Sequence, residues 1–198
     1  MIILLKLIIN FIVVTIDINM INNGTGAGGA NTNATGLGFE DVASLEQYYS
    51  IYQPNNIGTL IKFNQSDKTF LHLKKGQLSK WTLTLGNEYN DIPKLHGTKQ
   101  PDDCFINLDD KIIIIIEKKF QQGGGSVVEK LQTPVNKIRN LKRRYPTYKI
   151  HYIYWLSEWF QRNTQAELLD LTEDYIPYFI GISENIKIQV ISQIINCI

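Results

Sequence analysis

The chain has 198 residues, 43% of them hydrophobic and 20% charged, and its formal net charge is +1. This length fits a single domain with a full hydrophobic core. The two cysteines, Cys104 and Cys197, and the three histidines show no metal-ligand spacing, so a zinc-cluster protein and a disulfide scaffold are excluded. A net charge near zero excludes a uniformly basic nucleic-acid binder, and the composition is typical of a compact intracellular protein.

Residues 1–19 are mostly Ile, Leu and Val, interrupted by Lys6, Asn10 and Asp17. The segment is about long enough to span a bilayer, but it lacks the small-residue cleavage site of a signal peptide. Three interpretations stay open: an apolar leader outside the native domain, a membrane anchor, or an additional strand. We predict one domain over residues 20–198, and no membrane association unless the leader is an anchor.

Residues 22–38 are rich in Gly and Asn and predict an N-terminal arm. The arm contains Gly24-x-Gly26-x-x-Gly29, which matches a dinucleotide-binding fingerprint. That fingerprint needs a helix to start within the glycines, whereas the following residues continue as a loop. We therefore expect no nucleotide cofactor.

Residues 39–49 predict the first helix, because Phe39, Val42 and Leu45 recur on one face. Glu40 falls in the first turn of this helix, where an acidic side chain favours the helix dipole. A second interpretation stays open, in which the Glu40 carboxylate projects toward a metal ion.

Short elements follow the first helix. Two strands are predicted at residues 59–63 and 69–73, on either side of a polar turn. Residues 74–81 predict a short helix that carries three lysines and a tryptophan.

The segment after Pro101 predicts a β-hairpin. Residues 104–108 form a short apolar strand, Asp109 and Asp110 a turn, and the five isoleucines Ile112 to Ile116 a second strand. A continuous β-branched run is typical of a strand that is buried on both faces. Such a strand has no reason to end in the charged residues 117–119 unless its end opens into a site.

Side-chain alternation places the Glu117 and Lys119 side chains on the same face of this strand, and Lys118 on the other. If Asp102 begins the partner strand, antiparallel pairing brings its carboxylate to the same end of the sheet as Glu117. Two neighbouring carboxylates repel each other unless a cation lies between them, and oxygen ligands suit Mg²⁺. A lysine beside that ion orients or deprotonates a water molecule.

Residues 126–141 predict a second long helix. Ser126 and Glu129 have the spacing of a capping box, and Pro134 predicts a kink. The apolar and aromatic patterns of the remaining residues predict three more elements. These are a strand at 148–155, parallel to the isoleucine strand, a helix within 166–178 and a last strand at 186–191.

Basic residues are concentrated on and around the second long helix. DNA binding depends on local basic patches that release counterions, so this excess matters more than the net charge. An ordinary solvated helix face is the alternative. The candidate DNA contacts are Lys130, Lys137, Arg139, Lys142, Arg143 and Arg144.

The pattern Pro101-Asp102…Glu117-Lys118-Lys119 resembles the signature of the PD-(D/E)xK nuclease superfamily. The blocks 26–40 and 117–132 are similar to parts of small type II restriction enzymes. The resemblance implies an α/β fold with a restriction-endonuclease-like core, in which helices flank a central mixed β-sheet. It also implies Mg²⁺-dependent hydrolysis of DNA, with Asp102 and Glu117 as metal ligands. Glu40 and the backbone carbonyl of Lys118 are further ligands, and Lys119 acts on the attacking water.

The resemblance also bears on the branch of the superfamily and on partners. The Gln-x-x-x-Tyr motif of the exonuclease branch is absent, because Gln132 is followed by Asn136. This favours a restriction-type enzyme, and a homodimer is expected because one chain holds one active centre. Two alternatives stay open: a nuclease of repair, recombination or mobile elements, and a DNA-binding protein without catalysis.

Overall fold

The computed structural model describes residues 38–54, 57–86, 100–122, 128–163 and 165–198. The predicted leader, 1–19, and the predicted arm up to residue 37 lie outside these ranges. In the part of the chain that is described, no helix has the length and apolar character needed to cross a membrane.

The described residues form an α/β fold around one seven-stranded sheet, whose strands lie in chain order from β1 to β7. Neighbouring strands from β1 to β5 are antiparallel, whereas β5, β6 and β7 are parallel. The predicted mixed sheet with flanking helices is therefore confirmed. The strands are β1 (Tyr49–Pro54), β2 (Thr59–Phe63), β3 (Thr69–Lys74), β4 (Asp103–Asn107), β5 (Ile112–Lys119), β6 (Lys149–Leu156) and β7 (Tyr178–Ile180).

The predicted hairpin is the β4–β5 pair, with Asn107 opposite Ile112 and Asp103 opposite Ile116. Every isoleucine of the run is buried. Because side chains alternate along a strand, Ile113 and Ile115 belong to one apolar cluster, and the other three isoleucines belong to a second cluster on the opposite face. Burial on both faces, which the β-branched run predicts, is confirmed.

Helices cover both faces of the sheet. On the face of Ile113 lie α2, α3 and α5, while α1 and α6 cover the opposite face. The helices are α1 (residues 38–42), α2 (Gln77–Thr82), α3 (Pro134–Arg144), α4 (Phe160–Asn163), α5 (Gln165–Glu173) and α6 (Glu184–Asn196), with 3₁₀ turns at Glu46–Tyr48 and Val128–Gln132.

Three predicted helices have different bounds in the structure. The helix predicted over 74–81 is α2, Gln77–Thr82, because Lys74 still belongs to β3. The helix predicted over 39–49 ends at residue 42, and β1 starts at Tyr49 because this residue pairs with Phe63 of β2. Of the helix predicted over 126–141, the first two residues, with the predicted Ser126 capping box, lie outside the described ranges. The rest is the 3₁₀ turn Val128–Gln132 followed by α3, which starts at Pro134. Proline is well suited to a first turn, where its missing N–H has no helical partner, so it starts the helix and does not kink it.

The strand predicted at 186–191 is wrong, because these residues belong to α6. The Ser183 hydroxyl caps this helix by accepting a hydrogen bond from the Ile186 N–H. Val190, Ile191 and Ile194 are buried together, which is the spacing of a helical stripe. An isoleucine-rich sequence therefore forms a helix here because its cap and its packing outweigh the β preference of its residues.

We expect Ile114→Ala to lower the free energy of unfolding by about 2–5 kcal/mol, because it leaves a cavity in the middle of the sheet. Ile114 is 0% exposed, whereas Ile51 on β1 is 65% exposed. The matched control Ile51→Ala should change the free energy by less than about 0.5 kcal/mol. Urea denaturation of both variants measures the difference, and equal effects would contradict the described packing of β5.

Candidate functional site

The ends of β4 and β5 bring together the motif residues that the sequence predicts. Since Asp103 pairs with Ile116, Asp102 and Glu117 lie at the same end of the two strands. The Lys119 ammonium lies between their carboxylates, 2.5 Å from Glu117 Oε1 and 4.0 Å from Asp102 Oδ2. We call Asp102, Glu117 and Lys119, with their contacts, the carboxylate cluster.

Glu117 is almost fully buried and is held by three donors. Its Oε1 accepts hydrogen bonds from Lys119 at 2.5 Å and from Lys137 at 3.0 Å, and its Oε2 accepts one from the Tyr152 hydroxyl at 3.1 Å. Burial alone raises the pKa of Glu117, but the charges of Lys119 and Lys137 outweigh it and lower the pKa below the ordinary value. The Glu117 carboxylate is therefore ionised at neutral pH.

Asp102 has a different environment from Glu117. Its Oδ2 accepts a hydrogen bond from the backbone N–H of Lys118 at 2.8 Å. Burial raises the pKa of Asp102, and the negative charge of Glu117 raises it further, although Lys119 opposes both effects. The two carboxylates of the cluster thus have pKa values displaced in opposite directions.

Lys119 is fixed at the centre of the cluster by its acceptors. Besides Glu117, its ammonium donates to the carbonyl oxygen of Lys118 at 3.1 Å. The carbonyl of Lys118, the further metal ligand that the resemblance suggests, therefore faces the same cluster.

Glu40 lies on α1 at the border of the cluster. Its side chain is half-buried, and burial raises its pKa, with the charge of Asp102 as the next cause. Lys75, Lys118 and Lys119 act in the opposite direction. The structure thus places Glu40 within electrostatic reach of Asp102, as its predicted role requires.

The chemistry of these donors fits a hard divalent cation. Mg²⁺ is commonly held in proteins by one or two carboxylates together with water, and the cluster offers Asp102 and Glu117 with the Lys118 carbonyl beside them. The raised pKa values of Asp102 and Glu40 indicate negative charge that a cation would stabilise. Within the described ranges, no three His, Cys, Asp or Glu side chains already converge as a metal-binding group.

The predicted basic patch divides into two parts in the structure. Lys137 belongs to the carboxylate cluster, where its ammonium binds Glu117 and also donates to the Tyr152 hydroxyl at 3.2 Å. Arg139, Lys142 and Arg143 instead line a groove of about 710 Å³ on the other flank of α3.

The remaining two predicted DNA contacts are Arg144 and Lys130. Arg144 places its guanidinium 5.9 Å from the centre of the Tyr145 ring. Lys130 lies in the 3₁₀ turn Val128–Gln132.

The groove, which we call the basic groove, lies beside the first half of β6. β7 pairs only with Tyr154, Trp155 and Leu156, so the start of β6 is left for the groove to run along. Ile138, Ile150 and Ile153 contribute apolar surface, and Asp174 is the acidic residue among the lining side chains.

Tyr152 and the position of Lys137 are the two features of the cluster that the sequence did not predict. The aromatic pattern of β6 predicts a strand but no contact with Glu117. Because β6 pairs in parallel with β5, alternate side chains of β6 lie on the same face of the sheet as Glu117. Tyr152 and Tyr154 were therefore the signal in the sequence for a contact with Glu117. Lys137 gave no such signal, because the rotation of α3 is set by its packing on the sheet.

Comparison of the chain with models of protein families, with curated proteins and with solved structures found no match. The interpretation of the carboxylate cluster therefore depends on its geometry alone.

We expect Lys137→Met to destabilise the protein at neutral pH by roughly 1–3 kcal/mol, because it removes a charged donor from a buried carboxylate. The lowered pKa of Glu117 stabilises the fold above the ordinary glutamate pKa, and this stabilisation is lost as the pH falls through the lowered value. The difference in the free energy of unfolding between the wild type and Lys137→Met should therefore become smaller in acid. Urea denaturation in EDTA between pH 7 and about pH 3 measures it.

The matched control is Lys68→Met, because Lys68 and Asp110 also form an ion pair at 3.0 Å but are exposed. Its effect should be about 0–1 kcal/mol. A pH-independent effect of Lys137→Met would contradict the assigned ion pair with Glu117.

Proposed function

We propose that the chain is a Mg²⁺-dependent DNA endonuclease of the PD-(D/E)xK type that hydrolyses phosphodiester bonds. The observation that carries this proposal is the position of the Lys119 ammonium between the Asp102 and Glu117 carboxylates, at the shared end of two neighbouring strands. Metal-assisted phosphodiester hydrolysis needs metal ligands and a group that acts on water. Two acidic residues and a lysine at the shared end of neighbouring strands supply them.

The sheet supports the finer fold assignment, a restriction-endonuclease-like core. In that core, an antiparallel hairpin carries the acidic residues, and a helix then connects it to a parallel strand. β4 and β5 form such a hairpin, and α3 leads to β6, which is parallel to β5. This order favours the assignment over a fully antiparallel or a fully parallel sheet.

Asp102 and Glu117 would hold the Mg²⁺ ion, with Glu40 and the Lys118 carbonyl as further ligands. When bound, the ion supplies Lewis-acid polarisation of the phosphate and a more acidic water. Lys119 orients the attacking water and offsets the negative charge that develops on the phosphate oxygens. Lys119 and Lys137 keep the Glu117 carboxylate ionised, and the hydrogen bond from Tyr152 helps to fix its orientation.

DNA is the proposed partner because the clustered basic side chains of the basic groove suit a phosphate backbone. The described part of each chain contains one carboxylate cluster, so cleavage of both strands at one site would require a second copy. We therefore propose a homodimer as the active form. A type II restriction-type enzyme is the most specific version of this proposal.

The proposal is tested by incubating the full chain with plasmid and phage DNA in Mg²⁺ or in EDTA. Discrete fragments that need Mg²⁺ support a site-specific endonuclease. A smear would indicate a nonspecific nuclease or one of repair or mobile elements. DNA binding without cleavage would favour a catalytically inactive DNA-binding protein and overturn the proposal.

We expect Lys119→Ala to lower the cleavage rate by about 10²–10⁴-fold, because the water loses its orienting group. DNA binding in EDTA should be largely retained, since Lys119 is a small part of the contact surface. Glu117→Ala should abolish cleavage through loss of the metal. Lys68→Ala, which removes an exposed lysine in the turn between β2 and β3, is the control. Undiminished cleavage by Lys119→Ala would refute its role.

We expect the triple variant Arg139→Ala/Lys142→Ala/Arg143→Ala to weaken DNA binding and to lower its salt dependence. Each phosphate contact that is lost should reduce the slope of log affinity against log salt by roughly 0.9. Anisotropy titrations of the Glu117→Ala protein at several salt concentrations measure this. The double variant Lys62→Ala/Lys68→Ala is the control, and an equal effect of both variants would exclude the basic groove as the DNA surface.

A further inference from the structure

A second chain of polar side chains lies on the face of the sheet opposite the carboxylate cluster. The Tyr49 hydroxyl lies 3.2 Å from His72 Nδ1, and His72 Nε2 lies 2.8 Å from Asp103 Oδ1. The other oxygen of Asp103 lies 2.6 Å from the Lys118 ammonium. Four strands, β1, β3, β4 and β5, contribute one side chain each.

These charged groups are buried. The side chains of His72 and Lys118 are 6% and 7% exposed, and that of Asp103 is 15% exposed. Burying an ion pair costs desolvation energy that its attraction often fails to repay, so apolar residues of the same volume would stabilise the sheet at least as well. Stability alone therefore does not explain why Lys118 is a lysine.

The remaining contact of Lys118 indicates what the ion pair does. The Lys118 ammonium donates a hydrogen bond to the backbone carbonyl of Glu40 at 3.2 Å. The last four carbonyls of a helix have no partner within the helix, and α1 ends only two residues after Glu40. Lys118 thus binds the end of the helix that carries Glu40.

Lys118 contacts both sides of the site at once. Its backbone N–H binds Asp102, and its carbonyl accepts from Lys119. Its side chain crosses to the opposite face and reaches Glu40. One residue therefore links the backbone of the carboxylate cluster to the helix whose acidic side chain borders it.

Apolar contacts hold α1 against the sheet but do not fix where Glu40 lies along it. The Phe39 ring packs 5.7 Å from the Phe120 ring, and Ala43 is fully buried. Such contacts are not directional, so they allow sliding and rotation of a short helix. The hydrogen bond from Lys118 is directional and sets the register of α1 relative to Asp102.

We propose that Lys118, held in place by Asp103 and His72, is a positioning residue that fixes Glu40 beside Asp102 and thereby sets the affinity for a divalent cation. This inference rests on the proposed function for the presence of the cation. The contacts that position α1 do not depend on it.

The first test compares Glu40→Gln, Lys118→Met and the double variant by calorimetric titration with Mn²⁺, which also prefers oxygen ligands. Each single variant should weaken Mn²⁺ binding by about tenfold or more. The double variant should bind no more weakly than Glu40→Gln, because Lys118 acts through Glu40. Multiplicative effects, or no effect of Lys118→Met, would overturn the proposal.

Two further proteins separate positioning from a general loss of stability. Lys118→Met leaves the buried Asp103 without its lysine partner. Asp103→Asn/Lys118→Met removes both charges of the ion pair and should bind Mn²⁺ as weakly as Lys118→Met. Lys68→Met, which breaks an exposed ion pair, should bind Mn²⁺ as the wild type does. Wild-type affinity in the Asp103→Asn/Lys118→Met protein would refute the positioning role.

The second test needs no metal and no cleavage. Hydrogen exchange in EDTA should be faster in Lys118→Met at the amides of residues 39–43, and unchanged at Ile113 to Ile115. Unchanged exchange at α1 would overturn the positioning role, whatever the cleavage results. If the wild type neither cleaves DNA nor binds Mn²⁺, the proposed function and the cation part of this inference are refuted. Faster exchange at α1 in Lys118→Met would then support only the contact between Lys118 and the carbonyl of Glu40.

Discussion

The side chains of β5 alternate between the two faces of the sheet, and both faces are apolar along its isoleucine run. The site depends on the same alternation in the charged residues that follow the last isoleucine. Ile113 and Ile115 pack on one face, and Ile114 and Ile116 pack on the other. The next residues keep the same alternation but are charged, so each needs partners on its own face of the sheet. Glu117 finds them on the side of α3, and Lys118 finds them on the side of α1. A single strand thus determines both polar networks.

The two carboxylates of the carboxylate cluster have unequal numbers of positive partners. Their pKa values therefore differ in the direction of their shift. Glu117 has two ammonium neighbours and a hydroxyl, which keep it ionised despite its burial. Asp102 has a backbone N–H and a more distant lysine, and both its burial and its carboxylate neighbour disfavour its charge. Titratable neighbours whose pKa values diverge are a general property of reactive sites, although structural ion pairs also produce them.

The hairpin, the strand β6 and the meeting of Asp102 with Glu117 could be predicted from the sequence, because alternation along strands and a tight turn determine them locally. The helix α6 could not, because the sequence of 186–191 suits a strand and only the Ser183 cap and the packing of the helix decide otherwise. Of the partners of Glu117 on other elements, Lys137 was also beyond prediction. Lys137 reaches Glu117 because of the rotation of α3, which depends on the shape of the whole apolar face.

The short length of β7 has a consequence for solubility. β7 covers only the last three pairs of β6, so the described sheet has an open edge along the first half of that strand. An exposed edge offers its backbone N–H and C=O groups to any other extended chain and is a common starting point for aggregation. Here Arg139, Lys142 and Arg143 line the space beside that edge. Because like charges repel, we expect these side chains to oppose the approach of the same edge of another copy and so to limit edge-to-edge association.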